Sequence, residues 1–144
     1  MKFWDASGLI PLCLDDPATP LMRGLAREDQ RIAVWWGTAV ECCSAFIRLR
    51  RQGILEAAGL ENARHVLDGL AGGWTEVVPA QDVRDQAIRL LGLHPLRAAD
   101  ALQLSGAFIW ADRHPFGRHF VCLDVRLRDA ARAEGFVVLP REWR

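Results

Sequence analysis

Short, uninterrupted apolar runs alternate along this chain with longer segments in which apolar residues return every third or fourth position. The runs at residues 2–4, 32–35, 120–123 and 136–139 are too short for helices and read as strands, 32–35 as a buried one, and the more polar segment 75–78 reads as a further short strand. The longer segments predict helices over residues 9–14, 21–28, 38–52, 55–70, 82–91, 98–111 and 125–134. Gly53, the pair Gly72-Gly73 and Gly135 supply the stops. Pro11 fits the first helix only near its start, where a missing N–H has least effect. Strands that alternate with helices in this way imply a parallel sheet with helices on both faces. One three-layer α/β domain over residues 1–144 accounts for the chain, which has no linker, repeat or low-complexity stretch.

That arrangement gives the acidic residues their interest. In a parallel sheet the carboxyl ends of strands and the starts of the following helices share one edge, and that edge is where open sheets bind ligands. Asp5 ends the first apolar run and Asp124 the fourth, while Glu41 and Asp100 each fall in the first turn of a predicted helix. Four carboxylates gathered there repel one another unless a hard divalent cation neutralises them, and an oxygen-rich donor set suits Mg²⁺ or Mn²⁺. Each also has a plainer reading. Asp5 and Asp124 stand where helix caps are favoured. Thr38-Ala39-Val40-Glu41 has the form of a capping box. Asp100 has Arg97 three residues earlier as an ion-pair partner, although the helix around it is too apolar for a solvated face. The coincidence of all four favours the metal site.

Composition narrows the chemistry. Hydrophobic residues make up 51% and charged residues 25%, enough for a packed core. The formal net charge is +0, so any grip on nucleic acid comes from a local patch. Lys2 is the only lysine, which excludes a Gly-x-x-x-x-Gly-Lys phosphate loop and the phosphoaspartate chemistry that needs a downstream lysine. Arg48, Arg50 and Arg51 form either a solvated helix face or a phosphate-facing patch beside the site. Cys13, Cys42, Cys43 and Cys122 lack zinc spacing and read as buried thiols in a reducing cytosol. His114 and His119 have no third ligand spaced for zinc, and Trp35, Trp36 and Trp110 read as core or interface. The first residues do not form a secretion signal, and no segment reaches the roughly 18 apolar residues of a membrane span, so a cytoplasmic protein is expected.

The segments around the four carboxylates resemble those of the PIN-domain ribonucleases, most closely the VapC-type toxins of toxin–antitoxin modules. The matching pieces are Asp5-Ala6-Ser7-Gly8-Leu9, Thr38-Ala39-Val40-Glu41, Leu96-Arg97-Ala98-Ala99-Asp100-Ala101-Leu102-Gln103-Leu104 and Phe120-Val121-Cys122-Leu123-Asp124, with Leu127, Ala130-Ala131 and Glu134-Gly135-Phe136 following. The resemblance spans essentially the whole chain. It implies a three-layer α/β/α fold with a five-stranded parallel sheet and Mg²⁺- or Mn²⁺-dependent hydrolysis of RNA phosphodiesters. It also implies a cognate antitoxin protein that blocks the site, and homodimerisation. On that reading Asp5, Glu41 and Asp100 hold an ion and Asp124 completes that site or a second one. Ser7 positions water or a phosphate oxygen, and Arg97 contacts phosphate or pairs with Asp100. One position departs from the pattern: the family commonly has threonine or serine two residues before the last aspartate, and here that residue is Cys122, a weak hydrogen-bond donor expected to alter the surroundings of Asp124.

Two other classes compete. A catalytically inactive PIN-like binding or scaffold protein shares the fold, but four retained carboxylates are destabilising without a metal. A phosphatase lacks its Asp-x-Asp and its lysine here, and a flap-type DNA nuclease lacks an added DNA-binding module.

Overall fold

The computed structural model describes residues 1–143. Its elements are β1 (Lys2–Trp4), α1 (Ala6–Cys13), α2 (Thr19–Glu28), β2 (Ile32–Trp35), α3 (Thr38–Arg51), α4 (Ala57–Ala71), β3 (Thr75–Val77), α5 (Gln81–Leu93), α6 (Ala98–Trp110), β4 (His119–Val121), α7 (Val125–Ala133) and β5 (Val137–Leu139). The five strands form one sheet in the order β3-β2-β1-β4-β5, every neighbouring pair parallel. The result is the three-layer α/β/α architecture of a PIN-like fold.

The strand pleat sorts the core into two. Phe3, Ala33, Trp35, Phe120 and Val138 face one side and pack against Leu90 of α5, Leu104 and Ala107 of α6 and Leu127 of α7. Trp4, Ile32, Val34, Val121 and Leu139 face the other and pack against Leu9, Met22, Phe46 and Leu67 from α1 to α4. Glycine allows the closest helix-to-sheet approach on each side. A Cβ added at Gly8 would stand 3.1 Å from Val121 Cγ1 and 3.2 Å from Trp4 Cε3, and one at Gly106 would stand 3.1 Å from Trp35 Cβ.

Helix starts depart from the sequence expectation for local reasons. Helix α1 begins at Ala6 rather than residue 9, because the Asp5 carboxylate caps it by accepting from Ser7 N. Pro11 therefore lies in the second turn, inside the helix and not at its start. Helix α4 begins two residues later than expected, since the N–H groups of Ile54 and Leu55 turn back to Leu49 O. Strand β4 stops at Val121, and Leu123 N donates to the Ser7 hydroxyl at 2.9 Å. Past β5 the chain runs along the same edge as a short strap. Arg128 of α7, 1% exposed, fastens it: Nη1 donates to Cys122 O at 2.7 Å and Nη2 to Pro140 O at 2.6 Å.

Candidate functional site

The strand order creates a switch point between β1 and β4. The chain leaves β1 toward β2 on one side and reaches β4 on the other only after β3. Such a reversal opens a crevice at the strands' carboxyl ends. Trp4 is in register with Val121, so Asp5 and Asp124 both lie on that crevice.

Asp5, Asp100 and Asp124 are each held by a donor two or three residues away, and Glu41 by one from a distant helix. Asp5, 5% exposed, accepts from Ser7 N at 3.0 Å and from Ser7 Oγ at 2.5 Å. Because Ser7 Oγ also accepts from Leu123 N, this one hydroxyl stitches the end of β1 to the end of β4. Glu41 Oε2 accepts from Gln103 Nε2 at 2.5 Å, and that amide also faces the Thr38 hydroxyl at 3.0 Å. Asp100 accepts from Arg97 N at 3.4 Å, and Asp124 caps α7 by accepting from Leu127 N at 2.9 Å.

The groups feel one another's charge. Burial raises the Asp5 carboxyl, the Ser7 hydrogen bonds oppose that rise, and the charges of Asp100 and Asp124 add to it. Glu41 is pushed up to about 7, first by burial, against the Gln103 hydrogen bond, and then by Asp5 and Asp100. Asp100 is raised by burial and by Asp124, and lowered by the Arg97 N–H and by the Arg97 and Arg126 guanidinium groups. Beside these residues lies a cleft of about 670 Å³ lined by Arg97, Asp100, Leu123, Asp124, Val125, Arg126 and Trp143.

An oxygen-only donor set whose members mutually disfavour ionisation fits a hard divalent cation, which would relieve that repulsion. Among the described residues no three His, Cys, Asp or Glu side chains already have the spacing to close on one ion. Each carboxylate keeps an oxygen free of protein donors, and it is the spacing that side-chain movement has to close for all of them to reach one ion.

Several expectations change in detail. Thr38-to-Glu41 is not a capping box: Gly37 is the cap residue, Thr38 is already helical, and both side chains turn to Gln103. Asp5 and Asp124 do cap their helices while also facing the crevice. Arg97 supports Asp100 through its backbone N–H and its nearby charge, with no ion pair between the two side chains. The Ser7 hydroxyl is occupied by Asp5 and Leu123 and so orients Asp5. The Cys122 thiol lies 3.7 Å from Asp5 Oδ2 and 3.6 Å from the Asp124 backbone oxygen, so its effect falls on the Asp5 carboxylate rather than that of Asp124. Arg48 and Arg51 line an outward groove of α3 with Val40 and Ile47. At 1.5 Å per residue they lie roughly 10 to 15 Å along the helix from Glu41, so the arginines beside the site are Arg97 and Arg126 instead.

Gln103, Arg126 and Trp143 were not singled out in the sequence. Gln103 had a signal: it lies one turn after Asp100 in the same apolar helix, so a buried polar group there called for a partner. Trp143 had none, because its place depends on where the strap runs.

No family model matches this chain, and no curated protein matches it. Solved structures do. The chain is similar over 100% of both lengths to a toxin-antitoxin complex from Klebsiella pneumoniae, with a TM-score of 0.68 at 11% identity. It is also similar to PAE2754 from Pyrobaculum aerophilum, with a TM-score of 0.63 at 18% identity over 96% of this chain and 83% of that one. Likeness at these identities establishes the fold. Fold and site together define a three-layer α/β protein with a carboxylate cluster at the switch point of its sheet. No helix among the described residues is long and apolar enough to cross a membrane.

Proposed function

We propose that this chain is a PIN-type endoribonuclease that hydrolyses RNA phosphodiesters with Mg²⁺ or Mn²⁺, and that it is the toxin of a toxin–antitoxin pair. The observation that carries the nuclease reading is the convergence of Asp5, Glu41, Asp100 and Asp124, drawn from four separate elements, into one group of mutually interacting carboxylates. The toxin reading is supported by the motif resemblance and by the whole-length likeness to a chain of a toxin-antitoxin complex. A cognate antitoxin over the crevice and a homodimer belong to the same reading.

Asp5, Glu41 and Asp100, with Asp124, would hold the ion. When bound, it supplies Lewis-acid activation of water and offsets charge developing at phosphorus. Ser7 keeps Asp5 aimed into the crevice, and Gln103 does the same for Glu41. Arg97 and Arg126, beside Asp100, are placed to contact non-bridging phosphate oxygens through charge-assisted hydrogen bonds.

An inactive PIN-like scaffold is the second reading, favoured because no three acidic side chains among the described residues are already spaced for one ion. Incubation of the wild-type chain and of Asp5→Asn with total RNA and Mg²⁺ separates the two. Cleavage by the wild type is expected, with a loss of about 100-fold or more in the variant, the scale on which one electrostatic stabiliser acts. Full-rate cleavage by Asp5→Asn overturns the mechanism, and no cleavage or Mg²⁺-dependent thermal stabilisation of the wild type leaves the scaffold.

A further inference from the structure

The strap after β5 carries an indole to the edge of the acidic crevice. Trp143 is half-buried: part of it packs against the core cluster that contains Val121 and Leu139, and the rest lines two clefts. One is the cleft that holds Asp100, Asp124, Arg97 and Arg126. The other, also about 670 Å³, is lined by Arg132, Arg141 and Glu142. Trp143 is the residue the two share, so the clefts adjoin at it.

The cations on either side have acidic neighbours, Asp100 and Asp124 in one cleft and Glu142 in the other, but few close ion pairs. Arg97, Arg126 and Arg141 form no ion pair with any described residue, and Arg132 has only an exposed contact of 3.4 Å with Asp129, three residues earlier. In a chain of net charge +0, a tryptophan with two arginines in the cleft on each side is a local feature that bulk composition does not produce. Its chemistry matches a polynucleotide strand: a flat apolar face for a base, and forked donors on each side for the flanking phosphates. Trp143 packs in part on the core cluster, and Arg128 ties the strap to the sheet at Pro140, three residues earlier.

Building on the nuclease reading above, we infer that Trp143 is a base-stacking subsite for an unpaired nucleotide next to the scissile phosphate, with Arg97 and Arg126 on the phosphate at the carboxylates and Arg132 and Arg141 on the next. Stacking needs a base released from pairing, so the subsite selects single-stranded segments over continuous duplex. It sets where the strand sits and takes no part in bond breaking.

The test uses the full chain and a random-sequence single-stranded 12-mer RNA. Binding is measured by fluorescence anisotropy in Mg²⁺ with Asp5→Asn protein, and cleavage kinetics are measured with the active chain. Trp143→Ala is expected to weaken binding by about 5- to 100-fold, the range for losing one base–aromatic stack. Trp143→Phe should recover most of that loss. In cleavage the effect should fall on KM more than on kcat, and a duplex of the same length should be insensitive to the substitution. Arg126→Gln and Arg141→Gln should each reduce the salt dependence of binding by about one phosphate contact. These two variants carry the test if Trp143→Ala melts early. Unchanged affinity in Trp143→Ala, or equal losses in Ala and Phe variants of normal thermal stability, overturns the subsite while leaving the nuclease reading intact. If the wild type cleaves and binds no RNA at all, the nuclease reading falls and the subsite with it.

Discussion

Glu41 gives the acidic cluster its pH dependence. Its carboxyl ordinarily titrates near 4.5 and in the fold is pushed up to about 7, so the folded chain binds this proton more tightly than the unfolded chain. Stability from this group is therefore full below the unfolded value and declines as pH rises through the folded one. Asp5 and Asp100, also raised, act in the same direction. In EDTA the protein is expected to lose stability from about pH 4.5 to about pH 7, with Glu41 contributing on the order of 1 kcal/mol once its partial exposure to solvent is allowed for. Urea melts across that range, repeated with Glu41→Gln, check this. The variant should flatten the profile, and Mg²⁺ should restore the wild type most at the alkaline end, where the carboxylates are charged. A stability that climbs with pH over the same interval contradicts the assignment.

At the scale of elements, α1 brings Asp5 and Ser7 to the crevice, and it lies close to the sheet because residue 8 has no side chain. Gly8→Ala places a methyl group against Val121 and the buried Trp4 ring, and should destabilise the fold by about 1–2 kcal/mol even after the gain in helix propensity. Gly24→Ala is the control. A Cβ at Gly24 in α2 meets nothing within 4 Å, so this change should stabilise by about 0.5–1 kcal/mol. Denaturant midpoints of the two variants should move in opposite directions. The order of strands and helices was legible because the two hydrophobic periods are distinct and most strands centre on a short apolar run, β3 (Thr75–Val77) being the exception. Helix starts were less legible. Asp5 drew α1 three residues earlier, and Thr38, which has the form of a cap, is instead helical and turned to Gln103, a partner far away in sequence. The four carboxylates could be read from position alone, since strand ends and helix starts fix which edge they share. Arg126 and Trp143 could not, because their nearness to Asp100 depends on how α7 and the strap pack.

For the molecule as a whole, Arg128 is the tie between the last strand and the site. Its two hydrogen bonds satisfy Cys122 O at the end of β4 and Pro140 O in the strap. Arg128→Met keeps the apolar stem and removes both bonds, and should cost about 3 kcal/mol, since each bond from a charged donor contributes about 1.5–3 kcal/mol. Urea denaturation measures the loss, and KM for single-stranded RNA should rise in the same variant as the strap loosens. The strand order has a consequence in time. β1 precedes the other four strands in the chain, yet it is the middle of the sheet, and its neighbour β4 comes only after β2 and β3. Asp5 therefore waits for β2, β3 and β4 to be made before Asp124 can stand beside it. A nascent chain cannot assemble the carboxylate cluster before β4 and the start of α7 have been made, so whatever this crevice does is absent until those late segments join the early ones.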